Sequence, residues 1–294
     1  MIELRWKTSV SASCLHAAAC HRAGIPAADP HYAAALDEPS AALVGEIAHA
    51  GWPVDSVIAE LAAFAPEYEN NRELVTRALT RLRIPPNNGG TLVRVAGAIA
   101  DLEAALVRSQ PQLVDELAVR GEPLRQQWEA RGPGLLREVV NLTDEGVVPD
   151  AAEVVLVLPY AGGHGMAYPR ANRVTFEAML FSLHADLPEV VRLAWLLAQL
   201  NSDLPRYSDA LPPGHAAGAV GLAVATPVLA GAELVELARC DEATLAKALE
   251  AWRIPSLQPA DAAARLWVWW STWLEHPKNW PVAVAALDQM LAVP

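Results

Sequence analysis

The chain is poor in basic residues, lysine above all, and in cysteine, and each scarcity excludes something. Only Lys7, Lys247 and Lys278 are lysines among 22 basic residues, set against 34 acidic ones, so the net charge is −12. No basic patch offsets that balance, which excludes a nucleic-acid partner or an anionic membrane surface. Three cysteines, Cys14, Cys20 and Cys240, cannot build a disulfide framework, and a cytoplasmic location is expected. The start of the chain lacks the continuous apolar run of a signal peptide and carries His16 within it. With abundant alanine and proline, the arginine bias suggests a GC-rich bacterial genome.

Motifs are scarce as well. A P-loop, a dinucleotide-binding fingerprint, a Gly-x-Ser-x-Gly elbow and a Cys-x-x-Cys pair are all missing. The Gly162-Gly163-His164-Gly165 turn resembles an esterase oxyanion loop, but no serine elbow exists for such a hole to serve. It reads either as a flexible link between two strands that lets backbones approach closely or as a ligand contact through His164.

What is present is a chain of 294 residues, 53% hydrophobic, with a mean hydropathy of +0.18. That is enough to bury a large core. The expected fold class is α+β, mainly α. A strand over Ile2 to Val10 is followed by a helix ending at Gly24, and helices are expected over 41–50, 54–64 and 72–82. Thr91 caps a further helix whose Leu92, Val95, Ile99, Leu102 and Leu106 form one apolar stripe. Gly132-Pro133-Gly134 breaks the helical pattern, which divides the chain into a mainly helical region, 1–133, and an α+β region, 134–294. In the second region strands are expected over Glu153 to Leu158 and Arg173 to Glu177. A buried helix over Leu187 to Leu200 follows, capped by Asp186. Residues 216–232 carry no charge and read as a buried pair of small-residue helices rather than a bilayer span, so no membrane partner is expected.

Two clusters could carry chemistry. Cys14, His16, Cys20, His21 and His31 are metal-capable, but on a helix His16 and Cys20 share a face at i, i+4 while Cys14 and His21 lie opposite, so the group reads as incidental thiols on a packed helix, with a zinc site as the alternative. Trp267, Trp269, Trp270, Trp273 and Trp280 spread too widely round a helix for a narrow stripe. They read as core indoles, with an exposed aromatic platform as the alternative.

The order of parts from Trp128 to about Trp252, with "VVRLAWLLAQLN" as its central helix, resembles the gluzincin-type zinc metallopeptidases. In that family a strand, a Gly-rich loop and an edge strand precede a buried helix bearing His-Glu-x-x-His, and a later helix supplies a glutamate ligand. Here Trp195, Leu196 and Gln199 stand at the three motif positions, and Glu233 falls at the third-ligand place. Two imidazoles on one helix face are what zinc needs, and the glutamate between them activates its water. The resemblance therefore implies a zincin-like scaffold without the metal, and no cofactor is assigned. The functional expectation is a non-catalytic scaffold or binding protein whose partner is a protein or peptide. Gly163, His164, Tyr168, Glu177, Trp195, Gln199 and Glu233 are its candidate ligand-binding residues. The alternative is a metal-dependent hydrolase whose ligands, among them His164, His184, His215, Glu177 and Glu233, converge only in space.

Overall fold

The computed structural model describes residues 2–85, 89–254 and 261–292. Strand β1 (Glu3–Thr8) leads into α1 (Val10–Arg22), α2 (Pro30–His49), α3 (Val54–Phe64), α4 (Asn71–Arg81), α5 (Gly89–Ser109) and the long α6 (Leu113–Leu142). Three strands follow, β2 (Ala151–Val157), β3 (Gly165–Tyr168) and β4 (Arg173–Glu177). The remainder is helical: α7 (Glu189–Leu197), α8 (Pro205–Ser208), α9 (Ala216–Ala223), α10 (Ala225–Leu234), α11 (Glu242–Ala251), α12 (Ala262–Glu275) and α13 (Trp280–Ala292). The chain is an α+β protein, mainly α.

It forms two interleaved compact units. One comprises residues 5–122 and 153–180, the other residues 1–4, 123–152 and 181–294.

The first unit holds most of a four-stranded sheet of order β1-β2-β4-β3. Strand β4 pairs in parallel with β2, Val155 opposite Thr175, and antiparallel with β3, Met166 opposite Thr175. It is therefore an interior strand, and all five of its residues are buried. β1 and β3 are the edge strands, and β3 lies within the stretch that reads in sequence as a turn. At the start of β4 the buried Arg173 guanidinium binds Glu153, its register partner on β2, together with Glu67 and the carbonyl of Ala63. An arginine is tolerated there because every direction of its fork finds an acceptor.

Helix α1 packs against α2, α3 and α5. Ser9 caps it by accepting the Ala12 N–H at 3.1 Å. A Schellman motif closes it: Ile25 N–H reaches the Cys20 carbonyl and Gly24, at φ +70°, reaches that of His21. Its small side chains let it lie deep, and Cys14, Leu15, Ala17 and Ala18 are inaccessible.

In the second unit the residues of α7 are buried throughout, and Arg192 is neutralised by Glu189 one turn earlier. The uncharged stretch forms the helix pair α9 and α10, as expected; by length and composition alone Ala216–Leu234 could cross a bilayer, and 72% of the apolar window is buried. The indoles of Trp269, Trp273 and Trp280 pack together, Trp273 edge-on to Trp280 at 5.1 Å, and Trp269 and Trp273 donate to the carbonyls of Ala283 and Leu142. These tryptophans are core residues.

Four local expectations need correction. Helix α6 runs unbroken through Gly132-Pro133-Gly134, because Leu117, Leu124, Trp128, Leu135 and Val139 recur at helical spacing and bury the same stripe. Gly132 is needed there, since a Cβ would collide with the Trp128 indole. Helix α2 begins at Pro30, capped by Asp29, and continues through Pro39 for the same reason, with Leu36, Leu43 and Ile47 buried. Helix α7 starts at Glu189 after Pro188, whereas Asp186 points to Lys247 at 2.6 Å and caps nothing. Thr91 lies inside α5 rather than at its cap. The sequence also reads helix stops over Ile84 to Gly90 and at Pro255; of these, residues 86–88 and Pro255 lie outside the described residues.

Candidate functional site

Strand β4 ends at Glu177, and this carboxylate is the centre of the first unit. The loop after β2 folds round it. Ala161 N–H donates to Oε1 at 2.7 Å, while the N–H groups of Gly163 and His164 donate to Oε2 at 2.5 and 2.8 Å. Such convergence of backbone donors requires unusual dihedrals, which is why Gly162 and Gly163 sit at φ +73° and +113°. The loop is anchored in turn: Tyr160 accepts the Ala28 N–H through its carbonyl at 2.7 Å, and its hydroxyl donates to Asp37 at 2.5 Å. The Gly-rich turn is thus a preformed anion hole, and the protein's own glutamate fills it.

From the opposite side α1 brings His16, whose Nε2 lies 2.9 Å from Glu177 Oε1. Cys20, one turn on, places its sulfur 3.7 Å from the same nitrogen. His16 and Glu177 are 0% exposed and Cys20 is 1%. The His164 ring stands beside that of His16, with centroids 5.6 Å apart.

Burial alone pushes the His16 imidazole down, but the Cys20 sulfur and the Glu177 carboxylate more than offset it and lift His16 to about 10. Burial likewise pushes Glu177 up, yet the His16 bond and charge and the N–H groups of Ala161 and Gly163 hold it below the ordinary carboxylate range. The pair is therefore an imidazolium and a carboxylate across a wide pH span. His16 Nδ1 is buried with no hydrogen-bond partner among the described residues.

This geometry is not that of a cysteine-hydrolase triad. A relay needs the nucleophile on one imidazole nitrogen and the orienting carboxylate on the other. Here both meet Nε2, and no substrate atom can reach a sulfur buried this deeply. What the trio offers is one nitrogen, one sulfur and one carboxylate oxygen, all within 4.8 Å of one another.

The candidate residues fall into two groups. Gly163, His164 and Glu177 converge as described, and Tyr168, buried on β3, directs its hydroxyl to the Met166 sulfur at 3.6 Å. Trp195, Gln199 and Glu233 belong to the second unit. The Trp195 indole stacks on Trp252 at 5.4 Å and donates to the Gly221 carbonyl at 2.8 Å. Gln199 donates back to the Trp195 carbonyl at 3.0 Å, and its Oε1 lies 3.1 Å from where a Cβ on Gly221 would stand. Glu233 is exposed and accepts the Cys240 N–H at 3.1 Å. Of the dispersed imidazoles, His215 pairs at the surface with Asp288 at 2.9 Å. His16 and Cys20 were absent from the candidate set; their shared helix face is visible in sequence, but its partner Glu177 is 161 positions away.

The second unit also carries an open hollow of about 680 Å³ lined by Asp186, Glu236, Arg239, Asp241, Thr244 and Lys247. No protein-family model, curated protein or solved structure matches the chain.

Proposed function

We propose that the chain is a non-catalytic, cytoplasmic scaffold or binding protein, a degenerate relative of the metallopeptidase-like fold, whose ligand is a protein or peptide. The observation that carries this reading is Trp195. At the position where a zinc peptidase presents its first histidine, an indole stacks on Trp252 and is tied to Gly221, so the space is filled by side chain. Gln199, at the second histidine position, is bonded to its own helix. Glu233, at the third-ligand place, is spent on a backbone N–H of the segment ahead of α11. The mixed-charge hollow beside Asp186 and Lys247 offers such a ligand charged and polar side chains of both signs.

A metal-dependent hydrolase is the second reading, favoured by the imidazoles of His16 and His164 beside Glu177. The complete burial of His16 and Glu177 weighs against it. Incubating the purified protein with a fluorogenic peptide library, with and without added zinc, cobalt or manganese, separates the two. The non-catalytic reading expects no turnover above buffer. Metal-dependent turnover that disappears in Glu177→Gln would replace it with the hydrolase.

A further inference from the structure

We propose that His16, Cys20 and Glu177 form a buried site for a divalent transition-metal ion of the zinc class, joining α1 to the end of β4.

The donor set is the first argument. A thiolate, an imidazole and a carboxylate together suit zinc and its first-row neighbours, whereas calcium and magnesium take oxygen alone. Spacing is the second. Zinc bonds of about 2.0–2.3 Å to these atom types imply tetrahedral edges of roughly 3.3 Å between nitrogen and oxygen and roughly 3.6 Å between nitrogen and sulfur. The corresponding separations are 2.9 and 3.7 Å. All three ligand atoms lie within 4.8 Å of one another, so closing the sulfur–oxygen edge onto an ion takes an inward turn of the Cys20 or Glu177 side chain.

Preorganisation is the third. His16 and Cys20 sit at i, i+4 on a capped, buried helix. The carboxylate is aimed by three backbone N–H groups that metal binding leaves intact: Oε1 exchanges only its His16 hydrogen bond for the ion and keeps that from Ala161, while Oε2 keeps those from Gly163 and His164. A ligating carboxylate held in this way has its supporting shell already built. Charge is the fourth. A divalent ion with one thiolate, one carboxylate and a neutral imidazole sums to zero, which is what a site without water requires. The His164 ring stands beside that of His16, with centroids 5.6 Å apart, and lies outside the group of three. The site is distinct from the place where the zincin resemblance would put a metal, and it makes no use of the non-catalytic reading.

The test uses the full chain purified without chelator. Elemental analysis is expected to find close to one equivalent of zinc. Replacement by cobalt(II) is expected to produce a thiolate-to-cobalt charge-transfer band with visible bands of tetrahedral intensity. Cys20→Ser should lose the charge-transfer band, while Cys240→Ser should keep it. X-ray absorption on the zinc-loaded wild type, which depends on no variant, should show a single sulfur scatterer among nitrogen and oxygen. A wild-type protein that takes up neither zinc nor cobalt overturns the proposal. So does a first shell without sulfur, or a band that survives Cys20→Ser in folded protein.

Discussion

His16 and Glu177 meet at 2.9 Å with no exposed surface on either, although 161 positions of chain separate them. A buried ion pair is weak evidence for net stability but strong evidence of what its breakage costs, because the survivor remains charged and unpaired. In metal-free protein, His16→Ala and Glu177→Gln are each expected to destabilise by about 3–5 kcal/mol. The Glu177→Gln change should be costly although isosteric, since an amide presents one acceptor oxygen where the loop supplies donors to two. Equilibrium denaturation measures both, and a loss below about 1 kcal/mol in either variant would contradict this account.

The same pair sets a pH window in metal-free protein. His16 rises from 6.5 unfolded to about 10 folded, so its contribution is complete below 6.5 and is lost as pH climbs through 10. Glu177 moves the other way. Its folded value lies below 4.5, so its contribution is complete above 4.5 and is lost as pH falls through the depressed value. Melting temperature against pH should therefore show both contributions complete between 4.5 and 6.5, with the alkaline decline weakened in His16→Ala. An unchanged alkaline limb in that variant would assign the decline to other groups.

Two glycine substitutions should have opposite signs. Gly162 sits at φ +73° with a built Cβ only 2.8 Å from that of Ala28, so Gly162→Ala combines backbone strain with a clash and should cost about 1–3 kcal/mol. Gly97 lies within α5 with nothing near its missing side chain, so Gly97→Ala should stabilise by about 0.5–1 kcal/mol. Denaturant midpoints of the two variants on either side of the wild type are the expected result.

Trp195 carries packing and a hydrogen bond that can be separated. Trp195→Ala is expected to cost about 3–5 kcal/mol through the cavity it opens. Trp195→Phe retains an aromatic face for Trp252 and leaves the Gly221 carbonyl without its donor, about 1–3 kcal/mol. If thermal denaturation gave equal losses for both, the indole N–H rather than the ring would be the dominant contribution.

Where the determinants are local, the sequence was legible. Helix α3 follows Pro53 and spans Val54–Phe64 as its pattern dictates, and β4 is Arg173–Glu177 as its alternation suggests. Reading failed where packing overrules a local breaker. Pro39 and Pro133 sit inside helices whose apolar stripes hold on both sides of them. The site was half legible: the spacing of His16 and Cys20 defines a helix face, and the Gly-rich loop announces converging N–H groups. No periodicity could reveal that one glutamate joins the two, because that meeting is made by the sheet register and by the packing of α1.

The interleaving of the two units has a consequence for synthesis. The chain passes between them four times: after residue 4, after 122, after 152 and after 180. A ribosome delivering this polypeptide from its amino end cannot release a finished first unit until Leu180 has emerged, and Glu177 is among the last residues to arrive. Until then the loop donors and the His16 face have been made without the carboxylate that binds them together. Neither unit corresponds to a single stretch of the message, so no one-ended truncation can isolate either, and the two are inherited, expressed and lost together.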